Sequence, residues 1–247
     1  MPRQEPGASP SVRARVYRSN SQAEIRTLVQ LGLPLYCGGD RRRDVALTFD
    51  DGPGPYTPLA LRILRHDRAR ATFFLVGRNL SAAGRLPRAE RALGAVGDHT
   101  WTHAFLPGLP LRAMDAQLAE TQTALAHSSG APVQLFRPPY GAHTTAVDAE
   151  ARRLGMLEVL WSVDSRDWAG ASWHRIADTV ERDARPGSIV LLHENHGQTI
   201  RALKFAILPA LRRRGFTPVS VTQLLALDPP TRTQIRQGLK GCFSRDS

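Results

Sequence analysis

Short apolar runs alternate with amphipathic stretches from residue 44 to residue 221, and this alternation constrains the fold more than any other feature. The apolar runs have the length of buried strands, and the stretches between them carry apolar residues at helical spacing. The predicted strands cover 45–49, 71–76, 95–97, 133–137, 157–163, 188–192 and 216–221. The predicted helices cover 57–66, 87–93, 111–127, 144–154, 172–184 and 200–213, the second being weakly patterned.

Strands that alternate with helices in this way predict βαβ units and an α/β fold with a parallel sheet. About seven such units fit into roughly 180 residues, which favours a closed or nearly closed barrel. A doubly wound open sheet is the alternative. The chain of 247 residues is long enough for this single domain and a full core.

The two ends of the chain lack the alternating pattern. Residues 1–39 are predicted to form a flexible tail followed by a short helix over 22–32, which begins at a Ser21-x-x-Glu24 capping box. The domain proper is predicted over 40–227, and residues 228–247 as a C-terminal tail. Cys37 and Cys242 flank the domain, and either a disulfide between them or two unpaired thiols fits the sequence.

The charge balance is strongly basic, with a formal net charge of +11 and a pI near 11.0. Such a charge favours polyanionic partners, including an acidic cell-wall polymer. The arginines are scattered, however, and no basic stripe with interleaved aromatic residues is present, so we expect no nucleic-acid partner.

Apolar runs are too short to cross a membrane, since none approaches the roughly 20 residues that a membrane-spanning helix requires. The first 20 residues also lack the apolar segment of a secretory signal. By itself this pattern favours a protein that stays inside the cell, or one whose export segment lies outside this chain.

Two adjacent acids end the first predicted strand, in the stretch VALTFDDGPG. In a parallel barrel the carboxyl ends of the strands carry the chemistry. Successive strand residues point to opposite sides, so Asp50 and Asp51 are free to serve different purposes. One suits a metal and the other a proton, although a helix cap or a charged turn is the plainer explanation.

Two histidines four residues apart follow the third predicted strand, in the stretch HTWTH. On a helical turn such side chains share one face, which suits two ligands of one metal. Asp51, His99 and His103 together form a set of two histidines and one carboxylate. This set suits a divalent ion, with zinc as the default and cobalt or another divalent ion as alternatives.

Three further stretches fall at predicted strand ends, and each is weak when taken alone. RPPYG begins at Arg137, DSRDW contains Asp167, and LLH ends at His193. Plainer explanations are an ordinary loop, a surface salt bridge and a buried core histidine.

In this order and at these strand ends, the five stretches resemble the motifs of the polysaccharide deacetylases of carbohydrate esterase family 4, the NodB-homology domain. The motifs are TFDDG at 48–52, HTxxH at 99–103, RPPY at 137–140, DxxDW at 164–168 and LxH at 191–193. The resemblance covers about 40–225 and implies a distorted (β/α)7 barrel. Asp98 precedes the first histidine where the family often carries asparagine.

The resemblance also implies a role for each matching residue. Asp51, His99 and His103 would be metal ligands, Asp50 the general base and His193 the general acid. The remaining roles are pairing with the base (Arg137), hydrogen bonding to the acid (Asp167), a backbone N–H for the oxyanion (Tyr140), and substrate contacts around the acetyl group (Pro138, Tyr140, Trp168 and Leu191). Pairing with Arg137 is expected to keep Asp50 ionised.

The implied activity is metal-dependent removal of N-acetyl groups from a β-linked amino-sugar polymer, either peptidoglycan or a chitin-type oligosaccharide. An O-acetyl xylan esterase using the same site, or a catalytically silent carbohydrate-binding barrel, are the alternatives. A polymer substrate implies a secreted or wall-associated protein, against the absence of a signal segment. We expect a monomer.

Overall fold

The computed structural model describes residues 10–238, except for the side chains of 10–16 and 18. A sheet of eight strands lies at its centre. All the strand pairs in this sheet are parallel. The strands are β1 Asp44–Gly52, β2 Ala71–Leu75, β3 Gly94–Asp98, β4 Leu135–Phe136, β5 Leu157–Glu158, β6 Val163–Asp164, β7 Ile189–His193 and β8 Thr217–Val219.

Helices follow most of the strands, as the alternating pattern predicts. They are α1 Pro10–Leu31, α2 Thr57–His66, α3 Leu86–Ala92, α4 Leu111–Ser129, α5 Thr145–Arg153, α6 Trp173–Asp183, α7 Gly197–Ala202, α8 Leu208–Arg213, α9 Val221–Leu227 and α10 Arg232–Arg236. A π-helical turn, Leu203–Ile207, joins α7 to α8. No helix among residues 10–238 is long and apolar enough to cross a membrane.

The sheet curls into a distorted barrel, which confirms the predicted fold class. Its strand order is β5-β4-β3-β2-β1-β7-β6, and β8 pairs with the start of β1. The two end strands, β5 and β6, are separated in sequence only by residues 159–162, which we call the seam. The chain therefore bridges the opening between the two ends of the sheet itself.

The single strand predicted over 157–163 is wrong, because the structure divides it into β5 and β6 at opposite ends of the sheet. The seam carbonyls of Val159 and Leu160 accept hydrogen bonds from the guanidinium of Arg137, at 2.9 and 3.0 Å. Backbone groups that bond to a side chain are not available for a strand ladder. The apolar run looked like one strand because its burial is continuous.

Side chains alternate between two cores along β1. Val45, Leu47 and Phe49 belong to the core between the sheet and the outer helices, whereas Ala46 belongs to the core inside the barrel. This alternation of period two places Thr48 and Asp50 on the inner face as well. The inner face of β1 thus changes from apolar to polar towards its carboxyl end.

The N-terminal segment packs against the barrel. Helix α1 begins at Pro10 rather than near residue 22, so part of the predicted flexible tail is helical, while residues 1–9 lie outside the description. Ile25 and Leu28 are buried in the inner core together with Leu224 of α9. The weak apolar pattern of the first helical turns gave no signal for the earlier start.

Residues 228–238 of the predicted C-terminal tail include a short helix and contact the domain. Asp228 accepts a hydrogen bond from Nε of Arg41 at 2.7 Å, and a capping box of Thr231 and Gln234 begins helix α10. Gln234 donates to the carbonyl of Gly38 at 3.0 Å. Cys37 lies buried, and Cys242, its possible disulfide partner from the sequence, is outside the described residues.

If α1 is part of the domain, replacing Leu28, which is 0% exposed, by alanine should lower the free energy of unfolding by about 2–5 kcal/mol. Thr27→Ala, at the adjacent exposed position, should change it by less than about 0.5 kcal/mol. Urea unfolding of both variants measures the difference. Equal small effects would contradict the packing of α1 onto the barrel.

Candidate active site

The predicted site residues meet at the carboxyl ends of β1, β3 and β7. Asp50 of β1 lies directly opposite His193 of β7 in the strand register. His99 follows the last residue of β3 in the chain. Because these strands are parallel, all their carboxyl ends open onto one mouth of the barrel, and all five motif stretches contribute to this mouth or its immediate support.

A bulge separates the roles of the two adjacent acids. The register of β1 shifts between Asp50 and Gly52, and Asp51 has a φ of 71°. A positive φ at a residue with a side chain is uncommon and is found mainly where the surrounding structure requires it. The buried Asp50 therefore keeps its place on the inner face, while the partly exposed Asp51 turns towards the two histidines.

Asp51, His99 and His103 form a group that fits a divalent ion. Oδ1 of Asp51 lies 3.3 Å from Nε2 of His103 and 3.6 Å from Nε2 of His99. Two ligands about 2.1 Å from one tetrahedral ion lie roughly 3.4 Å apart. Oδ1 of Asp51 is buried and makes no hydrogen bond to any described residue, as expected of an oxygen that serves as a ligand.

The histidines do not converge through a helical turn, as the i, i+4 spacing suggested. The segment from 99 to 105 contains no helix, and Thr100 and His103 have φ angles of 63° and 61°. These two left-handed residues fold the segment back, so that the imidazole centroids lie 4.9 Å apart. Spacing alone predicted the ligand pair but not the turn that brings it together.

Asp98 supports this turn. It is fully buried, and its Oδ1 accepts a hydrogen bond from the Thr100 amide at 2.7 Å. Burial raises the pKa of Asp98 well above its ordinary value. Its carboxyl thus shapes the segment that carries the histidines and is not a member of the ligand group.

The ring of His99 is fixed by a backbone carbonyl. Nδ1 lies 2.7 Å from the carbonyl oxygen of Arg137, which can only accept, so Nδ1 carries the proton. Nε2 consequently presents its lone pair to Asp51. Burial lowers the pKa of His99 to about 3, so the ring stays neutral and able to bind a metal.

Asp50 forms a buried ion pair with Arg137. Nη1 of the arginine donates to Oδ1 of Asp50 at 2.8 Å, and both side chains are almost inaccessible to water. Burial raises the pKa of Asp50 more than Arg137 lowers it, so the net shift is upward. The Arg137 contact thus favours the ionised form of Asp50, as predicted, while burial makes the carboxylate more basic, which suits a proton acceptor.

Arg137 satisfies several further acceptors across the barrel. Its Nη1 also donates to Oγ1 of Thr48 at 2.7 Å, and its guanidinium lies 4.2 Å from the centroid of the Phe74 ring. With the two seam carbonyls, one buried side chain thus contacts β1, β2 and the seam. Thr48, the first residue of the TFDDG motif, lies two residues before Asp50 on the same face of β1, but no role was predicted for it.

His193 is held by Asp167. Nδ1 of the ring lies 2.7 Å from Oδ1 of Asp167, and Oδ2 accepts from the His193 amide at 2.7 Å and from Oγ1 of Thr199 at 2.6 Å. Burial lowers the pKa of His193, but the Asp167 bond and charge and the charges of Asp50 and Asp51 outweigh it, raising this pKa to about 9. The imidazolium therefore persists at neutral pH.

The residues predicted to contact the substrate differ in their exposure. Leu191 is buried, whereas the side chains of Trp168 and Tyr140 are 57% and 69% exposed. Tyr140 follows Pro138 and Pro139 with a φ of 63°, and its ring lies edge-on to His103 at 4.8 Å between centroids. An exposed aromatic ring beside the ligand group, as Tyr140 provides, suits contact with a polymer that lies across the opening.

Two supporting residues next to His193 were missed by the sequence analysis. Nδ2 of Asn195 lies 3.4 Å from Oδ2 of Asp51. Glu194 is buried, and its Oε2 accepts from Oγ1 of Thr57 at 2.6 Å. The sequence HEN directly after an apolar strand could have indicated that polar side chains continue past the motif histidine.

The fold and the site together define a class of protein. Its members are hydrolases that place metal ligands, a proton acceptor and a proton donor at the mouth of a parallel barrel. The chain belongs to the polysaccharide deacetylase family, whose sequence model matches residues 38–159. The chitooligosaccharide deacetylase of Azorhizobium caulinodans is 36% identical over 189 residues, which cover 70% of this chain and 90% of that protein.

The peptidoglycan-N-acetylglucosamine deacetylase of Bacillus cereus is 36% identical over 188 residues, 73% of this chain and 87% of that protein. Among solved structures, a family 4 pseudoenzyme of Bacillus anthracis matches with a TM-score of 0.73 and 30% identity, covering 78% of this chain and 68% of that one. Because a pseudoenzyme has this fold, the fold alone does not establish activity, and activity must be inferred from the residues of the site.

If Asp167 raises the pKa of His193, the imidazole of the metal-free protein should titrate near pH 9, and Asp167→Asn should shift the midpoint downward by more than one unit. Loss of the carboxylate removes the hydrogen bond and charge that oppose burial. NMR of the histidine ring measures both midpoints. Asp164→Asn, which removes a nearby acid without touching His193, is the control; equal shifts in both variants would contradict the assignment.

Proposed function

We propose that this protein is a metal-dependent hydrolase that removes N-acetyl groups from a β-linked amino-sugar polymer, either peptidoglycan or a chitin-type oligosaccharide. One observation carries the proposal: Asp50 and His193 face each other across paired strands, beside the Asp51–His99–His103 group. A base and an acid on neighbouring strands, both close to the same ligand group, fit the two proton transfers of amide hydrolysis.

The ligand group suits zinc, with cobalt or another divalent ion as an alternative, because one carboxylate and two neutral imidazoles are typical zinc ligands. When bound, such an ion polarises the acetyl carbonyl and lowers the pKa of water from about 15.7 towards about 7. Asp51, His99 and His103 provide three ligands, so a position for substrate remains open.

Asp50 is proposed as the general base. Its Oδ2 lies 3.8 Å from Nε2 of His99, so the carboxylate borders the ligand group without belonging to it. Arg137 donates a hydrogen bond to Oδ1 of Asp50, which leaves Oδ2 available to accept a proton. The upward pKa shift produced by burial strengthens the carboxylate as an acceptor for the proton of the attacking water.

His193 is proposed as the general acid. Its Nδ1 is bound to Asp167, so Nε2 is the atom that can give a proton to the departing amine. The pKa of about 9 keeps this proton in place at neutral pH. The acid form, and with it the activity on amides, should be lost as the pH rises through this value.

The remaining motif residues are proposed to hold the substrate. The backbone N–H of Tyr140 would stabilise the oxyanion, a contribution of about 3–4 kcal/mol for one donor. Trp168, Leu191 and Pro138 would surround the acetyl methyl group. We further propose that the protein is secreted or associated with the cell wall, because its polymer substrates lie outside the membrane. We also propose that it acts as a monomer.

The decisive experiment measures acetate release from N-acetylglucosamine oligomers, from peptidoglycan and from acetylated xylan. The protein is stripped of metal, then assayed before and after addition of zinc or cobalt. We expect release from one or both amino-sugar polymers only after metal addition. Asp50→Asn should reduce this release about 10²–10⁴-fold while retaining the ion, because the base is lost and the three ligands are unchanged.

Asp183→Asn, a partly exposed acid at the end of α6 that pairs with Arg182, is the control and should stay near wild-type activity. Release from xylan alone would replace the proposal with an O-acetyl esterase. No release from any substrate by the metal-loaded protein would favour a silent binding barrel. An Asp50→Asn variant of near-normal activity would contradict the assigned base.

A further inference from the structure

A second group of ionisable side chains lies outside the site described above. It consists of His143, Asp148 and Glu158, which we call the β5 cluster. His143 precedes helix α5, Asp148 lies in the first turn of α5, and Glu158 ends strand β5. The three residues come from two neighbouring elements and the loop between Tyr140 and α5.

The geometry of the β5 cluster matches that of the first ligand group. Nδ1 of His143 lies 3.0 Å from Oδ1 of Asp148 and 3.6 Å from Oε1 of Glu158. The donor atoms of all three residues lie within 4.8 Å of one another, as they do in the Asp51 group. The 3.6 Å separation agrees with the roughly 3.4 Å expected between two ligands of one tetrahedral ion, and the 3.0 Å separation is also that of a hydrogen bond.

Glu158 provides the observation that points to a ligand. Its side chain is only 5% exposed, and neither carboxylate oxygen makes a hydrogen bond to any described residue. Buried carboxylates are normally paired or bound to a metal, because an unpartnered one is costly. Oε1 lies 3.6 Å from Nδ1 of His143, so this carboxylate, which lacks a hydrogen bond, points into the cluster.

The other ring nitrogen of His143 is positioned as metal-bound histidines usually are. Nε2 lies 3.4 Å from the hydroxyl of Tyr36. If Nε2–H donates to this oxygen, Nδ1 is left with its lone pair facing the two carboxylates. A hydrogen bond from the distant ring nitrogen is the usual support of a metal-ligating histidine.

We propose that His143, Asp148 and Glu158 bind a second divalent cation, of the zinc class, in addition to the ion of the active site. One imidazole and two carboxylates form a mixed nitrogen and oxygen set that suits zinc. The partial exposure of His143 and Asp148 leaves a fourth position for water. Bound there, the ion would tie the loop after Tyr140 and the start of α5 to strand β5.

The competing explanation is a hydrogen-bonded cluster without metal. In that case Nδ1 of His143 donates to Asp148, and Glu158 carries a proton. Burial, and after it the nearby Asp148, raises the pKa of Glu158 to about 9. A protonated Glu158 is therefore the state expected at neutral pH when no cation is present. Glu158→Gln replaces one carboxylate oxygen by an amide nitrogen and preserves the shape of the side chain. The two explanations predict different effects of this change on ion binding.

The test counts ions on the full chain. Metal-stripped protein is equilibrated with a small excess of zinc, freed of unbound ions by gel filtration, and analysed by inductively coupled plasma mass spectrometry. We expect two ions per chain for the wild type, one for Glu158→Gln, one for His103→Ala and none for the double variant. Glu150→Gln, a buried acid on α5 paired with Arg153, is the matched control and should retain two.

Thermal unfolding separates loss of the ion from loss of the fold. In the metal-free state Glu158→Gln should melt within a few degrees of wild type, since glutamine has the shape of the protonated acid. Added zinc should raise the melting temperature of His103→Ala but not of the His103→Ala, Glu158→Gln double variant. Two ions on Glu158→Gln, or a single ion on the wild type that His103→Ala removes, would overturn the proposal.

Discussion

The buried ion pair of Asp50 and Arg137 is the interaction on which the barrel and its site both depend. The guanidinium donates to the carboxylate, to Thr48 on β1 and to the two seam carbonyls. Charges removed from water are costly unless every group finds a partner. Here the same guanidinium that neutralises Asp50 also satisfies the backbone carbonyls of the seam between the two end strands of the sheet.

The site inherits its order from this arrangement. The carbonyl of Arg137 fixes the ring of His99, while its side chain holds Asp50, so base and ligand are oriented by one residue. On the other side, Asp167 holds His193 through both the ring and the backbone amide. The proposed base and the proposed acid are therefore each held by a buried, oppositely charged partner. Asp167 raises the pKa of His193, whereas burial raises the pKa of Asp50 against the opposing charge of Arg137.

Much of this was predictable from the sequence. Apolar runs ending in acids and histidines place chemistry at the mouth of a parallel barrel, and the predicted Asp50, Asp51, His99, His103 and His193 do meet there. These predictions rest on local order along the chain, because strand direction and strand end are set locally.

The rest depends on contacts that sequence spacing does not encode. The division of the run 157–163 at the seam follows from Arg137, about twenty residues earlier. The left-handed turn at Thr100 and His103 replaces the helical turn suggested by the spacing. Glu158 looked like an ordinary strand residue, and only burial without a partner distinguishes it.

The central claim is tested most directly by a double-mutant cycle on Asp50 and Arg137. The unfolding free energies of Asp50→Asn, Arg137→Met and the double variant are measured against wild type in urea. Each single change should cost about 3–5 kcal/mol, because it leaves a buried charge unpaired. The double variant should cost less than their sum by about 2 kcal/mol or more; additivity within about 0.5 kcal/mol would contradict the account.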